Sequence, residues 1–346
     1  MTQYEHVINA FFSEPWALLR SKYDAIRGVL AVRAAGGHIS ADEIALIAGG
    51  SLQARHEAAG RVPHRSTDGL IAVIPLLGVI APRASMMTES SGGTSVQAFT
   101  AALRQAVNNP DVGSIVIDVD SPGGQVGGID ELATELRAAL AIKPIEAVAN
   151  GMAASAAYWI ASQVPLTVTP SGEVGSIGVI AEHWDESRAI DTAGLVPTVL
   201  SAGKYKTEGS PYGPLSDEAL AHFQSRIDSY YSMFVAAVAK GRGVSVADAR
   251  GERFGEGRMY GAKEAVRRGM ADRVGTLDGT IARMARGGGR MAVTAAMRGD
   301  AAFMASLAET GVDTEPIEDV FLPVAFEQEP APSHDLELAA ARLRLA

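Results

Sequence analysis

Short apolar runs alternate with longer helical stretches through the middle of the chain. Runs of apolar, β-branched residues predict five strands, at 71–74, 114–120, 145–149, 166–169 and 177–180. Helical periodicity predicts four helices, at 95–109, 129–141, 152–163 and 216–240. Alternation of this kind, with strands that are mostly apolar throughout, is typical of a largely parallel sheet covered on both faces. We therefore predict an α/β domain over residues 67–286.

The two ends of the chain follow different patterns. Residues 1–66 are predicted to form a helical appendage, because apolar and charged residues alternate at helical spacing from Pro15 to Leu46. A break is expected at Gly36-Gly37, a second helix from Ser40 and a polar linker at 50–68. Residues 291–346 hold ten acidic residues against three arginines, with four prolines. This composition predicts a mostly disordered acidic tail over residues 287–346.

Composition narrows the chemistry that the chain can carry. Its 346 residues include 40 Asp and Glu against 30 Lys and Arg, which argues against a nucleic-acid partner. The absence of Cys excludes a disulfide scaffold, a thiolate metal site and a cysteine nucleophile. The first twenty residues lack the pattern of a secretory signal, and the longest apolar runs are shorter than a membrane helix. We therefore expect a soluble, cytoplasmic protein without an integral membrane segment.

A turn of small residues, Asp120-Ser121-Pro122-Gly123-Gly124, follows the predicted strand at 114–120. Open α/β sheets place their sites at this carboxyl end of a parallel strand. Gly123 and Gly124 lack Cβ atoms, so their backbone N–H groups can approach a ligand closely, as an oxyanion hole requires. On its own, such a tetrapeptide is more often a simple turn.

About thirty residues later, a cluster of tiny side chains follows the predicted strand at 145–149. This cluster places Ser155 in or near the first turn of a helix, with Ala156 and Ala157 after it. Free N–H groups and the positive end of the helix dipole favour a developing negative charge there. A lone serine in an Ala-rich helix more often serves packing than catalysis.

A serine nucleophile needs a base. Of the seven histidines only His183 is close to a predicted active-site strand, so a His triad has little support. Lysine is scarce, with six residues against twenty-four arginines, yet Lys204 and Lys206 lie in one loop. Arginine cannot lose its proton, whereas burial lowers a lysine pKa and makes the amine a competent base. Ser176, in a Gly-Ser-Ile-Gly turn, is suited to orient such an amine; two solvated loop lysines are the alternative.

Together these segments resemble the signal peptide peptidase A (SppA) type of serine endopeptidases, in the Clp protease/crotonase superfamily. The resemblance extends from about residue 71 to 281, with SPGG at 121–124, GMAAS at 151–155, VGSIGV at 174–179 and AGKYK at 202–206. The helix at 216–242 and the segment at 258–272 also look like the family. It implies a core of repeated β-β-α units and chemistry that needs no metal or cofactor.

The same resemblance implies a role for each matched residue. Ser155 is the nucleophile, Lys206 the general base and Ser176 the residue that positions the lysine. The oxyanion hole is formed by Gly123, Gly124 and Ala156. Lys204 is rejected as the base, because the lysine of the family follows the glycine by three positions.

Two features depart from the family pattern. We expect the N-terminal hydrophobic anchor of the membrane-bound members to be missing here, and Ser155-Ala156-Ala157 stands where Ser-Gly-Gly is usual in the family. The N-terminal appendage and acidic tail look more like the phage and prophage branch, the capsid assembly or head maturation proteases. That branch implies a polypeptide substrate, a homo-oligomer and capsid, portal or scaffold partners, in the host cytoplasm or the immature phage capsid.

The leading hypothesis is therefore a Ser-Lys endopeptidase of phage capsid maturation or scaffold processing. A bacterial SppA-like peptide-degrading protease is the alternative within the family. A crotonase-like acyl-CoA enzyme shares the fold and a glycine oxyanion hole, but it does not need these Ser and Lys residues. A non-catalytic capsid or scaffold interaction protein is the alternative of another class, against which intact Ser155 and Lys206 argue. The apolar run 230–234 is a further reason to expect self-association.

Overall fold

A ten-stranded sheet organises the part of the chain that the computed structural model describes, which is residue 11 and residues 14–34, 37, 64–66, 69–83 and 93–287. The strands are β1 (Trp16–Leu18), β2 (His64–Ser66), β3 (Gly69–Ala81), β4 (Thr94–Ser95), β5 (Val112–Gln125), β6 (Ile145–Ala154), β7 (Leu166–Val168), β8 (Glu173–Gly175), β9 (Met259–Gly261) and β10 (Arg273–Val274). The described ranges also contain nine α-helices, namely α1 (Arg20–Ala34), α2 (Val96–Asn108), α3 (Ile129–Ile142), α4 (Ala156–Ala161), α5 (Ser187–Thr192), α6 (Asp217–Arg242), α7 (Val246–Arg250), α8 (Ala262–Arg268) and α9 (Leu277–Ala285).

The sheet is largely parallel. Its main path runs β10-β7-β6-β5-β3-β2, with β1 beside β5, β4 beside β3, and β8 between β6 and β9. Only the pairs β1–β5, β2–β3 and β8–β9 are antiparallel among the described strands. The central strand β5 is buried on both faces, where Ile115, Val116, Ile117 and Val119 are fully buried. The predicted α/β class with a largely parallel sheet is confirmed.

Local capping explains where the long helices begin. Ser95 accepts a hydrogen bond from the N–H of Ala98 and starts α2, and Ser216 accepts one from Ala219 and starts α6. Helix α6 also has Asp217 and Glu218 in its first turn, where negative charge suits the helix dipole. The predicted helices at 95–109, 129–141 and 216–240 are therefore present.

Four sequence-based assignments are wrong because main-chain pairing with distant residues overrides local periodicity. Residues 16–18, predicted helical, form β1 on the edge of β5. Residues 177–180, predicted as a strand, form only an isolated bridge from Ile180 to Trp16. The helix predicted from 152 starts at Ala156, because β6 continues to Ala154 beside β8. The turn at 121–124 is itself part of β5, which ends at Gln125.

Several predictions concern residues that the structure does not describe. The second N-terminal helix from Ser40, most of the linker at 50–68 and the acidic tail beyond residue 287 lie outside the described residues. The domain boundaries at 66/67 and 286/287 stay predictions. In the described ranges no helix combines the length and the apolar content that a membrane crossing requires.

Ionic contacts fasten the last elements to the sheet. Glu146 of β6 is buried and receives hydrogen bonds from Arg273 at 2.8 Å and Arg283 at 2.6 Å. Arg242 at the end of α6 makes two hydrogen bonds of 2.9 Å to Asp272. Burial opposes ionisation of Asp272, yet the hydrogen bonds and charge of Arg242 prevail and lower the pKa of this carboxyl. These contacts hold β10 and α9 in place at one edge of the site-bearing strands.

Candidate active site

Ser155 occupies a strained turn between β6 and α4. Its φ of 54° and ψ of −119° lie in a region that side-chain-bearing residues rarely adopt. Its N–H donates to the Gly175 carbonyl at 2.8 Å, and its own carbonyl accepts the N–H of Trp159 at 2.9 Å. Strained residues of this kind cluster at active sites, so the backbone marks Ser155 independently of its side chain. The side chain donates a long hydrogen bond of 3.4 Å to the Gly178 carbonyl.

Ser176 lies at the next strand end. Strand β8 pairs in parallel with the end of β6, with Ala154 opposite Gly175, so Ser155 and Ser176 follow neighbouring strand ends. Ser176 has a φ of 56°, and its N–H donates to the Arg258 carbonyl at 2.9 Å. Among the described residues, positive φ outside glycine occurs only at Ser155, Ser176 and Glu256. The structure thus brings together two of the predicted site residues and gives both an unusual backbone.

Gly123 and Gly124 fit positions that admit no side chain. A Cβ added at Gly123 would lie 2.2 Å from the Ala17 carbonyl oxygen and 3.0 Å from the Ala156 amide nitrogen. A Cβ at Gly124 would lie 1.9 Å from the carbonyl oxygen of Ile80. The bare backbone of Gly123 is therefore next to the turn of Ser155, as an oxyanion hole requires.

The predicted oxyanion donors differ in their present partners. The Gly123 N–H donates to the Ser121 hydroxyl at 3.2 Å, and that hydroxyl donates to the Gly78 carbonyl at 2.6 Å. Gly124 lies opposite Ala17 in the β1–β5 pair. Ala156 is the first residue of α4, so its N–H has no carbonyl within the helix to bond. Of the three, Ala156 is the donor best placed beside Ser155.

The predicted contact between Lys206 and Ser155 is not formed as a hydrogen bond in the structure. Lys206 is exposed in the loop that follows α5, where its N–H donates to the Gly203 carbonyl at 3.1 Å. No hydrogen bond joins the described residues Lys206 and Ser155, and Ser155 is fully buried. A Ser-Lys dyad therefore requires that this loop, or the same loop of another copy, approach the site.

Lys204 is a poorer candidate base than Lys206. Its ammonium group donates to Tyr205 Oη at 2.7 Å and to Glu218 at 3.0 Å. These hydrogen bonds raise the pKa of Lys204 and stabilise its charged form, which cannot accept a proton. Lys204 thus fits the alternative of an exposed, charged lysine in a loop.

His183 does not complete a triad in this structure. One ring nitrogen of His183 lies 3.1 Å from the Gly213 carbonyl oxygen, and no hydrogen bond joins it to the described Ser155. In the described ranges no group of three or more His, Asp or Glu side chains is placed to hold a metal ion.

The comparison with known proteins gives the family. Residues 137–289 match peptidase family S49. This segment is a peptidase family S49 domain. It includes Ser155, Ser176, Lys204 and Lys206, whereas Gly123 and Gly124 of the SPGG motif lie outside the matched residues. The resemblance predicted from the sequence is confirmed.

Phage proteins stand out among its relatives. The chain is 32% identical to capsid assembly protease C of Escherichia phage lambda over 275 residues, 77% of this chain and 62% of that protein. It is 31% identical to head-tail preconnector protein GP5 of Enterobacteria phage P21 over 289 residues, 81% and 57% of the two chains. It is also 26% identical to the chloroplastic serine protease SPPA of Arabidopsis thaliana, over 61% of this chain and 31% of that protein. The chain thus spans about three fifths of the length of the two phage relatives.

One feature of the site was missed by the sequence analysis. β1 lies along Gly123 and Gly124, beside the Ser155 turn. Its only local signal is the short apolar run Trp16-Ala17-Leu18-Leu19 after Pro15. This run also fits the helical periodicity of the residues that follow, so it was predicted as helix. Pairing with residues so far along the chain leaves no trace in local sequence.

Proposed function

We propose that this S49 chain is a serine endopeptidase that acts on capsid or scaffold polypeptides during phage head maturation. The observation that carries the proposal is Ser155, held at positive φ between strand and helix beside the Ala156 amide. The names of the two phage relatives support capsid, portal or scaffold proteins as its polypeptide partners. Similarity to a putative signal peptide peptidase SppA of the bacterium Enterococcus faecium supports the bacterial peptide-degrading alternative within the same chemistry.

The proposed reaction uses a Ser-Lys dyad. The neutral amine of Lys206 takes the proton of Ser155 Oγ as that oxygen attacks the scissile carbonyl. The N–H of Ala156, with an amide of the Gly123-Gly124 segment, stabilises the oxyanion. Lys206 then protonates the leaving amine, and the acyl group stays on Ser155. Water then attacks the acyl group and gives a proton to Lys206, which passes it to Ser155 Oγ as the ester bond breaks and the acid leaves.

Ser176 is proposed to orient the lysine amine when the loop approaches. Its position at the strand end next to Ser155 supports this role, because a hydroxyl there can accept a hydrogen bond from an amine that also reaches Ser155. The backbone conformation of Ser176 and the bond from its N–H to the Arg258 carbonyl fix the direction of its Cα–Cβ bond.

The function is tested by mapping cut sites. Purified protein is incubated with candidate capsid and scaffold polypeptides, and new termini are identified by mass spectrometry. We expect discrete cuts that are absent with Ser155→Ala. Cutting of an unfolded protein such as casein without cutting of capsid or scaffold polypeptides would favour the peptide-degrading alternative. No cutting of any polypeptide would contradict the proposal.

We also propose that the chain self-associates, although not through the run 230–234. Phe234 is fully buried, and Tyr230 and Tyr231 pack against the core of the same chain. The stronger candidate is the loop after α5, where Val196 is 89% and Leu200 93% exposed. Exposed apolar side chains of this density mark protein interfaces, and this loop also carries Lys206.

Light scattering tests this surface. The unaltered protein should be larger than a monomer at micromolar concentration, and Val196→Glu with Leu200→Glu should shift it to a monomer. Leu220→Glu is the matched control, because Leu220 is 55% exposed on α6 and lies outside that loop. A strictly monomeric unaltered protein would contradict self-association.

A further inference from the structure

Strand β1 is paired on both of its sides. On one side it runs antiparallel to the end of β5, with Leu18 opposite Gly123 and Trp16 opposite Gln125. On the other, Trp16 and Ile180 exchange two N–H to carbonyl hydrogen bonds of 2.8 Å. The Leu19 N–H adds a bond of 2.8 Å to the Pro122 carbonyl. β1 therefore fills the gap between the glycine turn of β5 and the segment that follows Ser176.

This gap leads to Ser155. The Ala17 carbonyl oxygen lies 2.2 Å from the site of a Cβ on Gly123, and the Ala154 carbonyl oxygen and the Ala156 nitrogen each lie 3.0 Å from it. Residues on both sides of Ser155 are thus next to the occupied gap. Ser155 itself has no exposed surface, and Ser176 is only 8% exposed. A nucleophile in this state cannot meet a substrate from solution until something moves.

β1 is anchored by a small cluster of its own. Trp16 is buried, donates its indole N–H to the Phe11 carbonyl at 2.9 Å and packs on the ring of Phe11. The cluster is separate from the main core and consists of Phe11, Trp16, Leu18, Tyr23 and Leu30. Arg27 of α1 adds an ion pair of 3.1 Å to Glu182. Of the three β1 residues only Ala17 belongs to the main core, so the departure of the segment takes one small side chain from that core.

We propose that β1 is an inhibitory strand, which occupies the place that an extended polypeptide must take to reach Ser155. The inference rests on the proposed function, since only a peptidase has to admit a polypeptide to this gap. The antiparallel pairing with residues 123–125 and the main-chain hydrogen bonds to Pro122 and Ile180 are the contacts an added substrate strand would make. Tethering gives β1 an effective concentration that favours it over a substrate in solution.

The geometry indicates that β1 stays uncut in the gap and is not itself a substrate. Helix α1 begins at Arg20, directly after the strand, and the Leu19 carbonyl accepts the N–H groups of Lys22 at 2.9 Å and Tyr23 at 3.0 Å. The chain therefore leaves the gap as a helix, whereas proteolysis needs an extended chain on both sides of the scissile bond.

Two variants loosen the strand in different ways. Trp16→Ala removes the anchor of the cluster. Leu19→Pro removes the N–H that bonds to Pro122 and places proline just ahead of α1, where a helix tolerates it. Val32→Ala is the control, because Val32 is 43% exposed on α1 and lies outside the cluster. Thermal melts check that each variant is folded.

The first measurement is the rate at which a tripeptidyl diphenyl phosphonate labels Ser155, with the site located by mass spectrometry. We expect labelling to rise more than tenfold in Trp16→Ala and in Leu19→Pro and to stay unchanged in Val32→Ala. Labelling of Ser155 that is measurable and equally fast in all four proteins would overturn the inhibitory strand. So would a cut between Trp16 and Arg20 in the unaltered protein, because the segment would then be a substrate.

The second measurement is independent of catalysis. A fluorescein-labelled hexapeptide with the sequence of residues 14–19 is titrated into Ser155→Ala and into Ser155→Ala with Trp16→Ala. Anisotropy should show at least tenfold tighter binding to the double variant, whose vacated tryptophan site the peptide can fill. Equal affinity, or no binding to either protein, would overturn the proposal. Failure of the phosphonate to label Ser155 in every variant would instead contradict the peptidase function.

Discussion

Replacing Ser155 by alanine should reduce peptide-bond cleavage by at least about 10⁴-fold, the scale of nucleophile removal in serine proteases. The fold should survive, because the side chain loses one oxygen whose hydrogen bond is long, 3.4 Å. We expect the unfolding free energy to change by no more than about 1 kcal/mol. Initial rates on a cleaved capsid or scaffold peptide, with thermal melts of the same samples, provide the measurement.

A second substitution at Ser155 tests whether its backbone is strained. Ser155→Gly should be equally inactive but more stable than Ser155→Ala by roughly 1 kcal/mol, since glycine relieves the strain of a φ of 54°. Ser162→Ala is the matched control, because Ser162 is a buried serine at the other end of α4 that bonds to the Trp159 carbonyl. Full activity of Ser155→Ala would remove this residue from the mechanism.

We expect substitutions at the two lysines of the loop after α5 to have very different effects on the rate of cleavage. Lys206→Arg should lose about 10²- to 10⁴-fold in rate, nearly as much as Lys206→Ala, because arginine keeps the charge but cannot act as a base. Lys204→Arg should stay active, since arginine can keep the ion pair with Glu218. Steady-state rates of the three variants provide the measurement, and the reverse ranking would move the base to Lys204.

A mixture of two inactive variants tests whether Lys206 acts on Ser155 of its own chain or of another copy. Ser155→Ala retains Lys206, and Lys206→Ala retains Ser155. Activity in the mixture, absent from either protein alone, would mean that the exposed loop of one copy serves the serine of another. An inactive mixture beside an active unaltered protein would mean that the loop of each chain folds back onto its own site.

Local sequence was sufficient for the features that depend on short stretches of chain. The apolar run of β5 and the capping serines Ser95 and Ser216 define their elements by themselves. The small residues around Ser155 and the Gly-Ser-Ile-Gly turn at Ser176 likewise indicated the site. Ser155 follows a predicted strand, and parallel strands carry their sites at that end. Ser176 was indicated by its turn alone, because β8 before it was not predicted and the strand was expected after it.

What the sequence could not indicate depends on partners far along the chain. Residues 16–18 have helical periodicity, yet they pair with 123–125 as a strand. The apolar segment 177–180 meets Trp16 at a single bridge and forms no strand. The scarcity of lysine pointed to Lys206, but no local pattern shows that its loop is exposed while Ser155 is buried. Each of these outcomes follows from tertiary pairing that local propensity does not encode.

The sequence distance between β1 and its partner also has a consequence for how a newly made chain matures. β1 is synthesised more than a hundred residues before Gly123–Gln125, so it leaves the ribosome without the edge on which it belongs. Closing so long a loop is slow relative to pairing between the successive strands β5 and β6. The sheet and the Ser155 turn are thus expected to form first, with the gap still open. If β1 is inhibitory, the gap beside Ser155 is open in each newly made molecule until β1 pairs with β5. The proposed protease would then be active for an interval that its own folding rate sets.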